Sequence, residues 1–181
     1  MYVPYTTLDG RAYTAGDGTI LVLPSLALIT DRTAQDFVRW LELRNKGWAN
    51  MTEEERVEWS GDMKVAYNAS DLNRVGTVIN YLWGLLEDAG YTANKKVLAK
   101  ADWAEGEIPT AADLSLYLSY VEAVRSALAQ YQKTPKTPAD VGSLNYQDAN
   151  DIEQIMIDVD QLITNMLAAR YFCGDLYSGE V

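Results

Sequence analysis

A chain of 181 residues with 26 acidic against 15 basic side chains has a formal charge of −11. This disfavours nucleic-acid backbones and anionic membranes, which need clustered Lys and Arg. The chain has no histidine and one cysteine, Cys173, which excludes Ser-His-Asp and Cys-His nucleophiles, histidine zinc sites, thiolate clusters and intrachain disulfides. The apolar share of 48% is enough for a core in one domain.

The N-terminus, MYVPYTTLDG, lacks the basic start and apolar run of a signal peptide. The apolar run 20–29 is far too short for a membrane span and is broken by Pro24 and Ser25. Tyr13 and Thr14, the turn Ala15-Gly16-Asp17-Gly18 and the strand-like 19–23 predict a β-hairpin-like arm over residues 1–30. Such a hairpin alone is marginal in water, so it must lean on the body or on another molecule.

Helix signals begin at Thr33, with Asp36 at capping-box spacing, and Phe37, Trp40, Leu41 and Leu43 follow at helical intervals up to Gly47. A second short helix is predicted from Thr52, with Glu55 three residues on, to Gly61. The first long helix, about 71–88, is capped by Ser70 or Asp71 and carries Leu72, Val75, Ile79, Leu82 and Leu86 on one seam. The connector 91–109 follows. Thr110 with Asp113 caps the second long helix, 111–131, whose seam is Leu114, Tyr117, Val121, Val124, Leu128 and Tyr131. Pro135 and Pro138 forbid helix and favour an extended strap. Asn145 with Asp148 caps the third long helix, 146–170, with seam Ile152, Ile155, Val159, Leu162, Met166 and Ala169. The tail YFCGDLYSGEV reads as an aromatic arm. The expected fold is therefore mainly α, an antiparallel bundle of three long helices plus two short ones. Its organisation is an arm at 1–30, a body at 31–170 and an arm at 171–181.

Carboxylates are the only plentiful catalytic side chains. Asp158 and Asp160 point about 200° apart on a helix and could not share an ion, so a solvated face explains them better. Asp148 and Asp151 share a face, but capping and the helix dipole account for them. Gly16-Asp17-Gly18 lacks the Lys and following helix of a phosphate loop. No catalytic residue, cofactor or metal ligand is assigned. Trp40 and Trp83 fall on or beside seams and read as core. Trp48, Trp59 and Trp103 lie at helix ends or in connectors, where they could lid the bundle or line a ligand cleft. Asn68, Asn73 and Asn150 read as hydrogen-bonded structural amides that fix register.

Several stretches together resemble a family encoded in the tail gene modules of phages and prophages of Gram-positive, largely gut, bacteria. They are Gly47-Trp48-Ala49 with Met51-Thr52-Glu53-Glu54-Glu55-Arg56 and Trp59, and Ala66-Tyr67-Asn68 leading into Asp71-Leu72-Asn73-Arg74-Val75. Ile108-Pro109-Thr110, Tyr117-Leu118, Ala149-Asn150-Asp151-Ile152-Glu153 and Tyr177-Ser178-Gly179-Glu180 complete the set. The likeness covers about residues 30–181. It implies a non-enzymatic structural or adaptor protein of a tail tip, baseplate or fibre, made in the host cytoplasm and residing in the virion. On that reading the partners are neighbouring tail proteins and further copies of the chain, with no nucleic acid and no membrane insertion. The arms would dock through Tyr2, Tyr5, Tyr13, Ile20, Val22, Tyr171, Phe172 and Tyr177. The alternatives are a module of the tail that binds a host-surface carbohydrate or receptor, and, more weakly, an acid-pair glycan hydrolase. A cleft lined by Trp48, Trp59 or Trp103 favours the binder; aromatics confined to the arms favour the adaptor.

Overall fold

The computed structural model describes residues 26–61, 63–64, 68–92, 95–139 and 141–175. The predicted hairpin turn and strands, and with them Tyr2, Tyr5, Tyr13, Ile20 and Val22, lie outside these residues, as does Tyr177. The described chain forms five α-helices and, among the described residues, no strand. They are α1 (Ala34–Lys46), α2 (Glu53–Ser60), α3 (Ala69–Asp88), α4 (Ala111–Ser126) and α5 (Tyr146–Asp175), with 3-10 turns at Trp48–Asn50 and Val141–Ser143.

Each helix starts where local chemistry says it should. Thr33, Thr52 and Thr110 close reciprocal capping boxes with Asp36, Glu55 and Asp113. Asn145 accepts from the N–H groups of Gln147 and Asp148, and Asp148 accepts from Asn145 in return. The cap of α3 is neither Ser70 nor Asp71 but Asn68, with Asp71 serving as its third-position partner. Beyond α3, Gly90 adopts φ +82°. The Tyr91 N–H then reaches back to the Leu86 carbonyl and the Gly90 N–H to that of Glu87, a Schellman termination. Two helix ends differ from expectation. The α4 helix stops at Ser126 rather than near Tyr131, and α5 continues to Asp175, through Tyr171 and Phe172.

The three long helices pack on the predicted seams. Leu72, Val75, Ile79, Leu82 and Leu86 from α3, Tyr117, Val121 and Val124 from α4, and Ile152, Ile155 and Val159 from α5 are all buried in one core. Met156 and Ile163 join them, and Trp83 packs there as expected. Trp40 does not: it is half-buried on α1, stacked between Phe37 and Trp59.

The direction of the helices overturns the antiparallel expectation. After α3 the chain runs back along it, since Ala99 bonds to Asn80 and, further on, Trp103 bonds to Asn73. The next helix therefore starts near the beginning of α3. After α4 a second strap runs back along α5, with Tyr131 beside Asn165 and Thr134 beside Asp158. Glu153, near the start of α5, meets Asp71 and Arg74 around Arg32, near the start of α3. So α3, α4 and α5 run in the same direction, joined by extended returns. Long connectors permit this; only short ones force antiparallel neighbours.

Extended straps expose backbone groups that have no ladder to join. Here asparagines satisfy them. Asn73 pairs with both N–H and C=O of Trp103, Asn80 does the same for Ala99, and Asn150 for Arg32. Asn73 and Asn150 are thus structural amides, as read from the sequence, but each fixes a strap rather than a helix register. Thr134 donates to Asp158 at 2.5 Å, and the Pro135 carbonyl accepts from Arg125. Asp158 and Asp160 are buried, which corrects the solvated-face reading. The strap lies over Asp158, which is repaid with hydrogen bonds from Thr134 and Gln154.

The strap at 26–32 is fastened by a buried ion cluster. Arg32 bridges Asp71 at 3.0 Å and Glu153 at 2.7 Å, Arg74 pairs with the same two carboxylates, and the Ile29 N–H donates to Glu153 at 2.5 Å. Among the described residues two cations meet two anions away from water, which keeps this burial tolerable.

A candidate binding cleft

The helix pair α1–α2 stands beside the start of α3 and the strap that ends in Trp103, and a cleft of about 750 Å³ opens between them. Trp48, Trp59 and Trp103 line it together with Ser60, Asn68, Ser70 and Asn73. Each tryptophan arrives by a different local device. Gly47, at φ +72°, ends α1 and turns the chain so that Trp48 opens a 3-10 turn, 53% exposed. Arg56 from α2 lies over that ring at 5.4 Å and donates to the Trp48 carbonyl. Trp59, in the last turn of α2, stacks on Trp40 with centroids 6.5 Å apart. Arg44 covers Trp40 at 5.2 Å. Two short helices with little apolar interior are thereby held by aromatic and cation–π contacts.

Trp103 is held through its backbone by Asn73, and Lys100 sits 4.0 Å from its ring centroid. Lys100 is in turn paired with Glu107, whose carboxyl it holds below the ordinary range. The Trp103 indole N–H is buried with no acceptor among the described residues. Of the described residues that line the cleft, Glu105 alone carries a charge. The site thus presents flat apolar faces, one carboxylate, and neutral hydroxyl and amide groups, of which those of Asn68, Ser70 and Asn73 already bond within the protein.

Among the predicted partner residues, Tyr171 and Phe172 fall on the backbone of the last turns of α5. The expected pair Asp148 and Asp151 divides its roles. Asp148 caps α5, whereas burial, and then the charge of Asp148, push the Asp151 carboxyl above its ordinary value. Among the described residues, no helix is long and apolar enough to cross a membrane.

The sequence reading pointed to the three tryptophans and to Asn73 but missed Asn80, Arg32, Glu153 and Glu105. Asn80 carried a signal, since it follows Asn73 by two helical turns with Gly76 between them. Arg32 carried none: its partners are 39 and 121 residues away. Comparison of the chain with protein-family models, curated proteins and solved structures gave no match.

Proposed function

We propose that this chain is a non-catalytic carbohydrate-binding module carried by a phage tail or tail-like particle, with the tryptophan cleft as its receptor site. The cleft carries the reading. Three indoles from separate segments converge on one opening, with neutral hydrogen-bonding groups around them. Pyranose rings offer an apolar face for stacking and hydroxyls for such groups, and pockets of this size and mixed lining suit small ligands. The tail-particle setting rests on the family resemblance. Acid-pair hydrolysis fits less well, because it needs two carboxyls facing across the cleft, whereas Glu105 is the one carboxylate among its described lining residues.

The test is titration of the protein with neutral oligosaccharides, namely gluco-, galacto- and N-acetylated hexosamine oligomers, followed by tryptophan fluorescence and calorimetry. Binding to at least one class is expected, with Trp48→Ala abolishing it. Binding that survives both Trp48→Ala and Trp103→Ala places the ligand elsewhere and sinks the proposal.

The second reading is an adaptor that docks through the terminal arms. It is favoured by the ion cluster that fastens Ile29 and Arg32 to α3 and α5, since a load applied ahead of residue 26 would pass into the rigid bundle. Deleting residues 1–25 should then leave a folded body that no longer enters particles. Normal incorporation of the deleted form counts against it.

A further inference from the structure

The strap facing α3 is held at two equivalent points. At Asn73 the side-chain amide donates to the Trp103 carbonyl at 2.9 Å and accepts from its N–H at 2.6 Å. At Asn80 the same amide geometry grips Ala99 at 2.8 and 2.7 Å. Between them Gly76 brings the helix backbone so close that a Cβ there would lie 2.5 Å from the Lys100 carbonyl oxygen. The strap is therefore seated at a fixed depth on α3.

Only one of the two clamps bears on the cleft. Asn73 and Trp103 both line it, and Asn80 and Ala99 do not. Immediately after Trp103 the chain turns, with the Glu107 N–H donating to the Ala104 carbonyl and the Ala104 N–H to the Glu107 carboxylate. The indole contributes no anchor of its own through its N–H, which finds no acceptor among the described residues. The ring packs against the core and under Lys100, and the backbone that carries it is clamped by Asn73.

We propose that Asn73 is the positioning residue of the cleft: by pairing with both backbone groups of Trp103 it fixes the indole wall on which an uncharged glycan stacks. This rests on the cleft being a saccharide site. Preorganised walls raise affinity because the ligand does not have to order them.

The experiment compares Asn73→Ala with Asn80→Ala, which removes the matching clamp away from the cleft. Both should lower thermal stability to a similar extent. Only Asn73→Ala should shift the Trp103 indole 1H–15N resonance, assigned by its loss in Trp103→Phe, and weaken binding of the neutral oligosaccharides by about tenfold. Asn73→Asp keeps an acceptor for the Trp103 N–H and should fall between; it carries the comparison if Asn73→Ala does not fold. A Trp103 resonance that moves no more in the Asn73 variants than in Asn80→Ala overturns the inference, whether or not any glycan binds. If the resonance shifts as expected while the unaltered protein binds none of the panel, the positioning role stands and the glycan reading falls.

Discussion

Removing the guanidinium of Arg32 leaves Asp71 and Glu153 inside the protein with Arg74 as their remaining cation among the described residues. The side chains of Arg32 and Glu153 are wholly inaccessible, so water cannot screen the imbalance. Breaking a buried pair from one side costs about 3–5 kcal/mol. Arg32→Ala is therefore expected to lose stability on that scale in urea denaturation. A loss below about 1 kcal/mol, the range of exposed pairs, would show that the cluster is hydrated in solution. The two glycines of α3 make an opposed pair of tests. A Cβ at Gly76 meets the Lys100 carbonyl, and a Cβ at Gly84 meets nothing within 4 Å. Gly76→Ala should destabilise by about 1–3 kcal/mol through overpacking. Gly84→Ala should stabilise by about 0.5–1 kcal/mol, because helical alanine loses less backbone entropy. Equal effects at the two sites would refute the close approach of strap and helix.

At the scale of the element, acid boxes start the helices and give them a common pH response. Hydrogen bonds from Thr33 and Thr110 hold Asp36 and Asp113 below the ordinary 3.8. Lys46, and then the Thr52 N–H, hold Glu55 below 4.5. A carboxylate whose folded value is lowered adds stability that is present above its unfolded value and is lost as pH falls through the folded one. Melting temperature should therefore decline as pH drops below about 4.5, and Thr110→Ala should flatten that decline. These groups are exposed, so each contribution is small. Asp151 has the opposite sign, because burial and Asp148 raise its value. Its ionised form opposes folding at neutral pH, and protonation relieves this. Asp151→Asn should raise the melting temperature at pH 7, and the gain should disappear below the ordinary 3.8. A gain that persists at low pH would indicate that charge is not its cause.

At the scale of the molecule, stability is unevenly distributed. The long helices share one core, whereas α1 buries only Leu43 and α2 buries no residue. Few buried apolar contacts mean a low free energy of local opening. Amide hydrogen exchange should thus be fastest in α1 and α2 and slowest at the centres of α3 and α5, and uniform protection would contradict the division. Leu82 and Ile155 are fully inaccessible in that core. Leu82→Asp or Ile155→Asp forfeits about 1.5–3 kcal/mol of burial and adds an unpaired buried charge, so either should abolish the helical circular dichroism signal. The cleft lies between the well-packed and the weakly packed parts, so ligand binding there should slow exchange in α1 and α2 above all.

The seams, the terminating glycines and four of the five caps were legible in the sequence because they obey rules of near neighbours; the α3 cap was placed two or three residues too late, at Ser70 or Asp71 instead of Asn68. Alternating steps of three and four place Leu72, Val75 and Ile79 on one face whatever surrounds them, and Thr110 can cap only the helix that follows it. Helix direction was not legible, since the connector 91–109 is long enough either to turn over at once or to return along α3. The Asn73 and Asn80 amides decide it, by binding Trp103 and Ala99 in an order opposite to the helix. Asp158 and Asp160 read as solvated because polar residues on a helix usually are, but both are buried, and Thr134, which meets Asp158, lies 24 residues away, beyond the reach of helical periodicity. The tryptophans were visible as candidates by their place at helix ends. That Trp48, Trp59 and Trp103 face one opening was settled only by tertiary packing, since it joins a turn, a helix end and a strap whose mutual positions no local interaction specifies.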